Sequence, residues 1–160
     1  MIWLGIDPGL AIAGWAILKG DETKTPEIIE YGIVETHKSL PTGERLVELE
    51  EDFIAIMKEF KPHHVAIEMP FFNRQIKSAG KVLQALGVIN LVCYREAQIT
   101  PIFLYQASWK AHLGNGRATK DEVAEILQQI FDLPELPIND SVDAIAIAYG
   151  AACGLRNSIN

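Results

Sequence analysis

The sequence predicts a mixed α/β domain, one five-stranded sheet with helices on both faces. Three observations predict it. Three β-prone segments separated by short turns open the chain and read as an antiparallel meander. Two later apolar strands then alternate with amphipathic helix-length segments, the pattern of a mixed sheet covered on both sides. Finally, 160 residues with 49% hydrophobic and 22% charged side chains suit one globular domain and are too few for two. Residues 1–156 are expected to form that domain and 157–160 a tail.

Each element has its own signal. Ile2 to Ile6 is a buried run stopped by the turn Asp7-Pro8-Gly9. Ala11 to Leu18 is small and β-prone, with Gly14 inside it, and Lys19-Gly20-Asp21 closes the hairpin. Ile28 to Val34 alternates as a third strand. From Gly43 to Phe60 the apolar positions Leu46, Leu49, Phe53, Ile56, Met57 and Phe60 recur at helical spacing, and Pro62 stops them. Val65-Ala66-Ile67 is a fourth strand cut off by Glu68 and Pro70. A long helix is predicted over Ile76 to Ala97, with Val82, Leu86, Ile89 and Val92 or Cys93 on one stripe. Ile102 to Tyr105 makes the last strand. Thr119 caps a helix to Phe131, with Glu122 three residues on to complete a capping box. The final helix runs from Asn139 to about Leu155.

Composition excludes several classes. No apolar run approaches the roughly 20 residues that span a bilayer, and the short apolar N-terminus lacks a basic leader, so no signal peptide is expected. Cys93 and Cys153 lack metal-ligand spacing and are read as free buried thiols, which points to a reducing cytoplasm. Net charge is −7, which by itself argues against a nucleic-acid partner. The distribution qualifies that. Residues 21–61 carry eleven acidic and five basic side chains, whereas 73–120 carry seven basic (Arg74, Lys77, Lys81, Arg95, Lys110, Arg117, Lys120) against Glu96 alone. A phosphate backbone could dock on the second stretch, or the stretch is simply a solvated basic face.

Chemistry shows where charges stand at the ends of buried elements. Asp7 ends the first strand and Glu68 the fourth; if these are adjacent and parallel, both carboxylates project from the carboxyl edge, where α/β sheets build their sites. Asp140 and Asp143, three apart at the start of the last helix, share a face. Four carboxylates at one spot need cations between them. Hard oxygen ligands select magnesium or manganese, and two such ions would clamp an in-line attack on a phosphodiester. Taken singly, Asp7 also reads as a turn residue, and Asp140 as a complement to the helix dipole with Asn139 as cap. Glu68 and Asp143 have fewer structural explanations.

Leu4 to Gly9 (Leu-Gly-Ile-Asp-Pro-Gly), Ala66-Ile67-Glu68 followed by Phe71, and Asp140-Ser-Val-Asp143-Ala-Ile-Ala-Ile-Ala resemble, in order and separation, the three motifs of the RuvC family of Holliday junction resolvases. The resemblance runs from Ile2 to about Cys153. It implies an RNase H-like fold, with the first three strands antiparallel and the last two parallel to the first. It implies structure-selective, metal-dependent nicking of two opposing junction strands, with 5′-phosphate and 3′-hydroxyl ends, in recombination and repair. Asp7, Glu68, Asp140 and Asp143 would hold Mg2+ or Mn2+ ions, two per site, with Lys110 and Lys120 beside the scissile phosphate. Phe71 matches the aromatic that packs on bases near the junction centre; the alternative is a core aromatic. Phe72, Asn73, Arg74, Lys77, Lys81 and Arg117 complete the expected DNA surface, and Gly114-Asn115-Gly116 a loop beside it. The helix around Gly87 would form the homodimer interface, and RuvA and RuvB would be branch-migration partners. The segment from Lys110 to Lys120 is one residue shorter than in the enterobacterial form, and 73–81 keeps basic character without identical residues. Rival readings are a non-catalytic branched-DNA-binding module and a YqgF-like RNA-directed nuclease. An actin-type ATPase would need a second domain.

Overall fold

The computed structural model describes residues 1–71, 76–137 and 139–157. Its elements are β1 (Ile2–Asp7), β2 (Ile12–Lys19), β3 (Glu27–Glu35), α1 (Thr42–Phe60), β4 (His64–Glu68), α2 (Ile76–Ala97), β5 (Ile102–Leu104), α3 (Gln106–His112), α4 (Lys120–Phe131) and α5 (Asn139–Ala152). The sheet order is β3-β2-β1-β4-β5. β1 pairs antiparallel with β2, as β2 does with β3, while β1–β4 and β4–β5 are parallel. The expected five-stranded mixed sheet is present with the expected directions.

Both faces of the sheet are covered, which is why β1 reads as an unbroken apolar run. Side chains alternate across the sheet plane. Leu4, Ile6, Val65 and Ile67 join Leu49, Phe53 and Met57 of α1 and Ala85, Ile89, Val92 and Cys93 of α2 in one core. Trp3 and Ala66 face the opposite way, into a core built by α3, α4 and α5. The parity that sends Trp3, Gly5 and Ala66 toward α5 also assigns Asp7 and Glu68 to that face.

α5 lies on the sheet at very short range because two strand positions have no side chain. A Cβ on Gly5 would stand 2.3 Å from the Ala144 carbonyl oxygen, and one on Gly14 only 2.0 Å from that of Asp140. Ala144, Ala148, Ala151 and Ala152 keep the helix small where it presses down. α5 ends three residues earlier than the sequence pattern suggests. Gly154, at φ +90, takes the left-handed turn, with Gly154 N–H donating to Ala151 O and Leu155 N–H to Gly150 O. That is a Schellman stop, which glycine alone adopts cheaply.

One element is absent from the sequence reading. α3 follows β5 directly and is only seven residues long, too short for apolar periodicity to register. Its N-cap Tyr105 makes no side-chain capping bond. Gly114 (φ +100) closes it, with Asn115 N–H donating to Lys110 O. The predicted capping box of α4 is formed: Thr119 Oγ1 accepts from Glu122 N–H and Glu122 Oε2 from Thr119 N–H. Cys93 is buried, and burial pushes its thiol up to about 12; Cys153 is only half-buried, and both are free. Beyond α5 the chain stays packed, Arg156 lying over the Trp3 ring and Asn157 Nδ2 donating to Phe103 O. No helix among the described residues is long and apolar enough to cross a membrane.

Candidate active site

The strand register delivers the first two acids. Trp3 pairs with His64 and Ile6 with Ile67; one residue further, Asp7 stands beside Glu68 at the carboxyl ends of β1 and β4. The third and fourth acids come from the close approach of α5. Gly14 is the register partner of Asp7 in β2, and the Asp140 backbone sits directly over Gly14. The opening turn of α5 is therefore held against the strand position next to Asp7. All four acids are half-buried.

Their electrostatics shows a shared neighbourhood. Burial, then the charges of Glu68 and Asp143, push Asp7 up from 3.8 to about 7, Asp140 adding to the rise and Lys120 opposing it. Burial likewise raises Glu68, with Asp143 adding to it, while a hydrogen bond from Trp109 and the charges of Lys110 and Lys120 pull it down. Asp143 is raised by burial against the lowering pull of Lys120 and Lys110. A buried carboxyl group that keeps its proton, with further carboxylates beside it, is what a cation would relieve. The donor set, hard oxygens alone, fits magnesium or manganese. The four acids are neighbours without forming a closed cage: among the described residues, no three acidic, histidine or cysteine side chains are grouped tightly enough to hold an ion as they stand. Asp143 faces Lys120, whose Nζ lies 3.9 Å from its Oδ2.

Lys120 is the first residue of α4, where a cation opposes the helix dipole; Asp121 and Glu122 in the same turn offset this. Lys110 stands on α3 with its ammonium 5.6 Å from the centre of the Trp109 ring. Both lysines thus reach the acids from elements outside the sheet. Phe71 is 78% exposed, which removes the core-aromatic alternative. Arg117 is exposed in the turn before α4, its backbone N–H held by Asn115 Oδ1. Lys81 is exposed on α2. Arg95, counted in the basic stretch, instead pairs with Glu50 of α1 at 3.1 Å. Phe72, Asn73 and Arg74, and the side chain of Lys77, lie outside the described residues.

Sequence reasoning missed Trp109. It is fully buried, and its Nε1 donates to Glu68 Oε2 at 2.8 Å. A contact across 41 positions leaves no local pattern. The one available signal was Gly114, a helix-stop glycine that implies a helix before it.

A mixed sheet of this order, with acids ending two neighbouring strands and opening the helix laid across them, defines a nuclease of the RNase H-like fold. The sequence pattern of crossover junction endodeoxyribonuclease RuvC matches residues 3–150. The chain is similar to the crossover junction endodeoxyribonuclease RuvC of a Synechocystis species, 61% identical over 157 residues that cover 98% of this chain and 94% of the relative. Among solved structures it is similar to Thermus thermophilus RuvC, with TM-score 0.84 and 30% identity over 96% of this chain and 94% of that one. It is equally close in fold to T. thermophilus RuvC in complex with Holliday junction substrate, with TM-score 0.84 and 28% identity, covering 96% and 97%. The chain belongs to the RuvC family, whose nucleases are metal-dependent.

Proposed function

We propose that this protein resolves Holliday junctions, nicking two opposing strands symmetrically to leave 5′-phosphate and 3′-hydroxyl ends during recombination and repair in the cytoplasm. The observation that carries the reading is the acid group of Asp7, Glu68, Asp140 and Asp143, flanked by Lys110 and Lys120, in a chain that matches the family over residues 3–150.

Asp7, Glu68, Asp140 and Asp143 would hold two Mg2+ or Mn2+ ions. When bound, such ions supply a nucleophilic water at neutral pH and stabilise charge on attacking and leaving oxygens. Asp7, between Glu68 and the start of α5, would be the central ligand of that group. Lys120 and Lys110 place positive charge where a phosphate entering the acid group gains negative charge, a contribution that is large in a preorganised site. Phe71, exposed three residues after Glu68, offers a ring on which an unpaired junction base stacks. Lys81 and Arg117, with Phe72, Asn73, Arg74 and Lys77, would extend the DNA surface.

Two cuts on opposing strands require two sites related by a twofold axis. α2 supports a homodimer: Leu83, Leu91 and Tyr94 are exposed on it, and Gly80 and Gly87 meet nothing within 4 Å. These positions recur at helical spacing on one face. RuvA and RuvB would be the branch-migration partners. The reading is tested by incubating the protein and Mg2+ with a four-way junction, a linear duplex of equal length and an RNA duplex. Paired nicks confined to the junction are expected; equal cutting of duplex, or preference for RNA, contradicts it.

A further inference from the structure

We propose that Trp109 is a positioning residue that fixes the Glu68 carboxylate through its indole N–H and holds Lys110 against its ring face. The inference rests on the reading of Glu68 as a metal ligand and adds to it the group that orients that ligand. Trp109 Nε1 donates to Glu68 Oε2 at 2.8 Å, which occupies one carboxylate oxygen and leaves Oε1 for a cation. The donor is rigid. Trp109 is fully buried in the core shared with α5 and β4, and its backbone N–H is anchored to Tyr105 O at the start of α3. Glu68, by contrast, is the last residue of β4, beyond which only the Met69 N–H bond to Leu104 O continues the ladder. A free glutamate at a strand end samples several rotamers; the indole selects one.

The same ring meets a second site residue. The Lys110 ammonium lies 5.6 Å from the ring centre, within the reach of a cation–π contact. Trp109 therefore touches an acid with its edge and a base with its face, and sets their separation. A buried indole N–H is not always satisfied in this chain: Trp3 Nε1 is buried with no partner among the described residues.

The test separates a hydrogen-bond role from packing. Trp109→Phe keeps a buried aromatic and removes the donor; replacing Trp109 by 3-benzothienylalanine substitutes sulfur for the N–H at unchanged shape, and decides the matter if the Phe variant fails to fold. Mn2+ binding is measured by calorimetry without DNA, and kcat and KM on a synthetic junction. Loss of the partner of a metal ligand typically weakens metal affinity or activity about 10–100-fold. Both variants are expected to bind Mn2+ at least about tenfold more weakly, with kcat reduced and KM for the junction unchanged. Wild-type Mn2+ affinity and kcat in the sulfur isostere would overturn the proposal, leaving Trp109 as core packing. Glu68→Gln is run in parallel. If it too leaves Mn2+ affinity and cleavage unchanged, Glu68 is no ligand and the parent reading fails instead.

Discussion

Gly14→Ala should damage the active site without touching any acid. A Cβ at position 14 would stand 2.0 Å from the Asp140 carbonyl oxygen and 3.1 Å from its carbonyl carbon. The first distance falls short of the 3.4 Å of ordinary contact by about 1.4 Å. The obstacle is backbone on both sides, so no side chain can swing away; the opening turn of α5 must retreat, taking Asp140 and Asp143 with it. Overpacking of this kind costs about 1–3 kcal/mol, a fall in Tm of about 3–10 °C for a domain of this size. Misplacing a catalytic group by about 1 Å costs about 100-fold in rate. The assay pairs a thermal melt by circular dichroism with junction cleavage at saturating protein and Mg2+. Gly14→Ala should remain folded, bind the junction and lose about two orders of magnitude in cleavage rate. The control is Gly43→Ala, at an exposed position of α1 where an added Cβ meets nothing within 4 Å; it should cleave normally and be up to about 1 kcal/mol more stable. Wild-type stability and cleavage in Gly14→Ala would refute the claim that contact between α5 and β2 positions the acids.

In a chelator, stability should fall as pH rises. Folded Asp7 keeps its proton to about 7 while the unfolded group releases it near 3.8, so stability is full below pH 4 and is lost by pH 7. The gap corresponds to about 4 kcal/mol at about 1.4 kcal/mol per pH unit. Urea melts at pH 5 and pH 8 should show about 3 kcal/mol of this loss, the part that falls between pH 5 and the folded value of about 7. Asp7→Asn should flatten it, and Mn2+ at pH 8 should reverse it, whereas a rise in stability toward pH 8 would contradict the assignment. Phe71→Ala removes an exposed ring, so stability should change by less than about 0.5 kcal/mol while junction cleavage slows about tenfold or more through lost stacking. Full cleavage would free Phe71 of any role at the junction. Leu91→Glu places a charge on the exposed face of α2 and should shift sedimentation from dimer to monomer and abolish paired nicking. An unchanged dimer would move the interface elsewhere.

The sheet was legible because its signals are local. β1 and β4 are short buried runs ended by acids, and the early turns name the meander. Once those two strands are neighbours, period-two alternation places Asp7 and Glu68 on one face without further information. α4 announced itself by its capping box. What could not be read depends on distance in the chain. Nothing near Gly14 shows that the Asp140 backbone lies against it, although a glycine inside a strand is a sign of close backbone approach. α3 is too short for periodicity, and with it went Trp109 and the reason Lys110 lies near the acids. The basic stretch was a mixture: Lys110 and Lys120 act on the acid group, whereas Arg95 pairs with Glu50 between α1 and α2.

The central claim is that these acids cut a four-way junction. Its most direct test is Asp7→Asn against wild type on a synthetic mobile junction with Mg2+, reading binding by gel shift and nicking on denaturing gels. Asp7→Asn should bind the junction as wild type does, because the DNA contacts proposed for Phe71, Lys81 and Arg117 remain, and nicking should fall below detection. Paired nicking at the wild-type rate in Asp7→Asn would contradict the account.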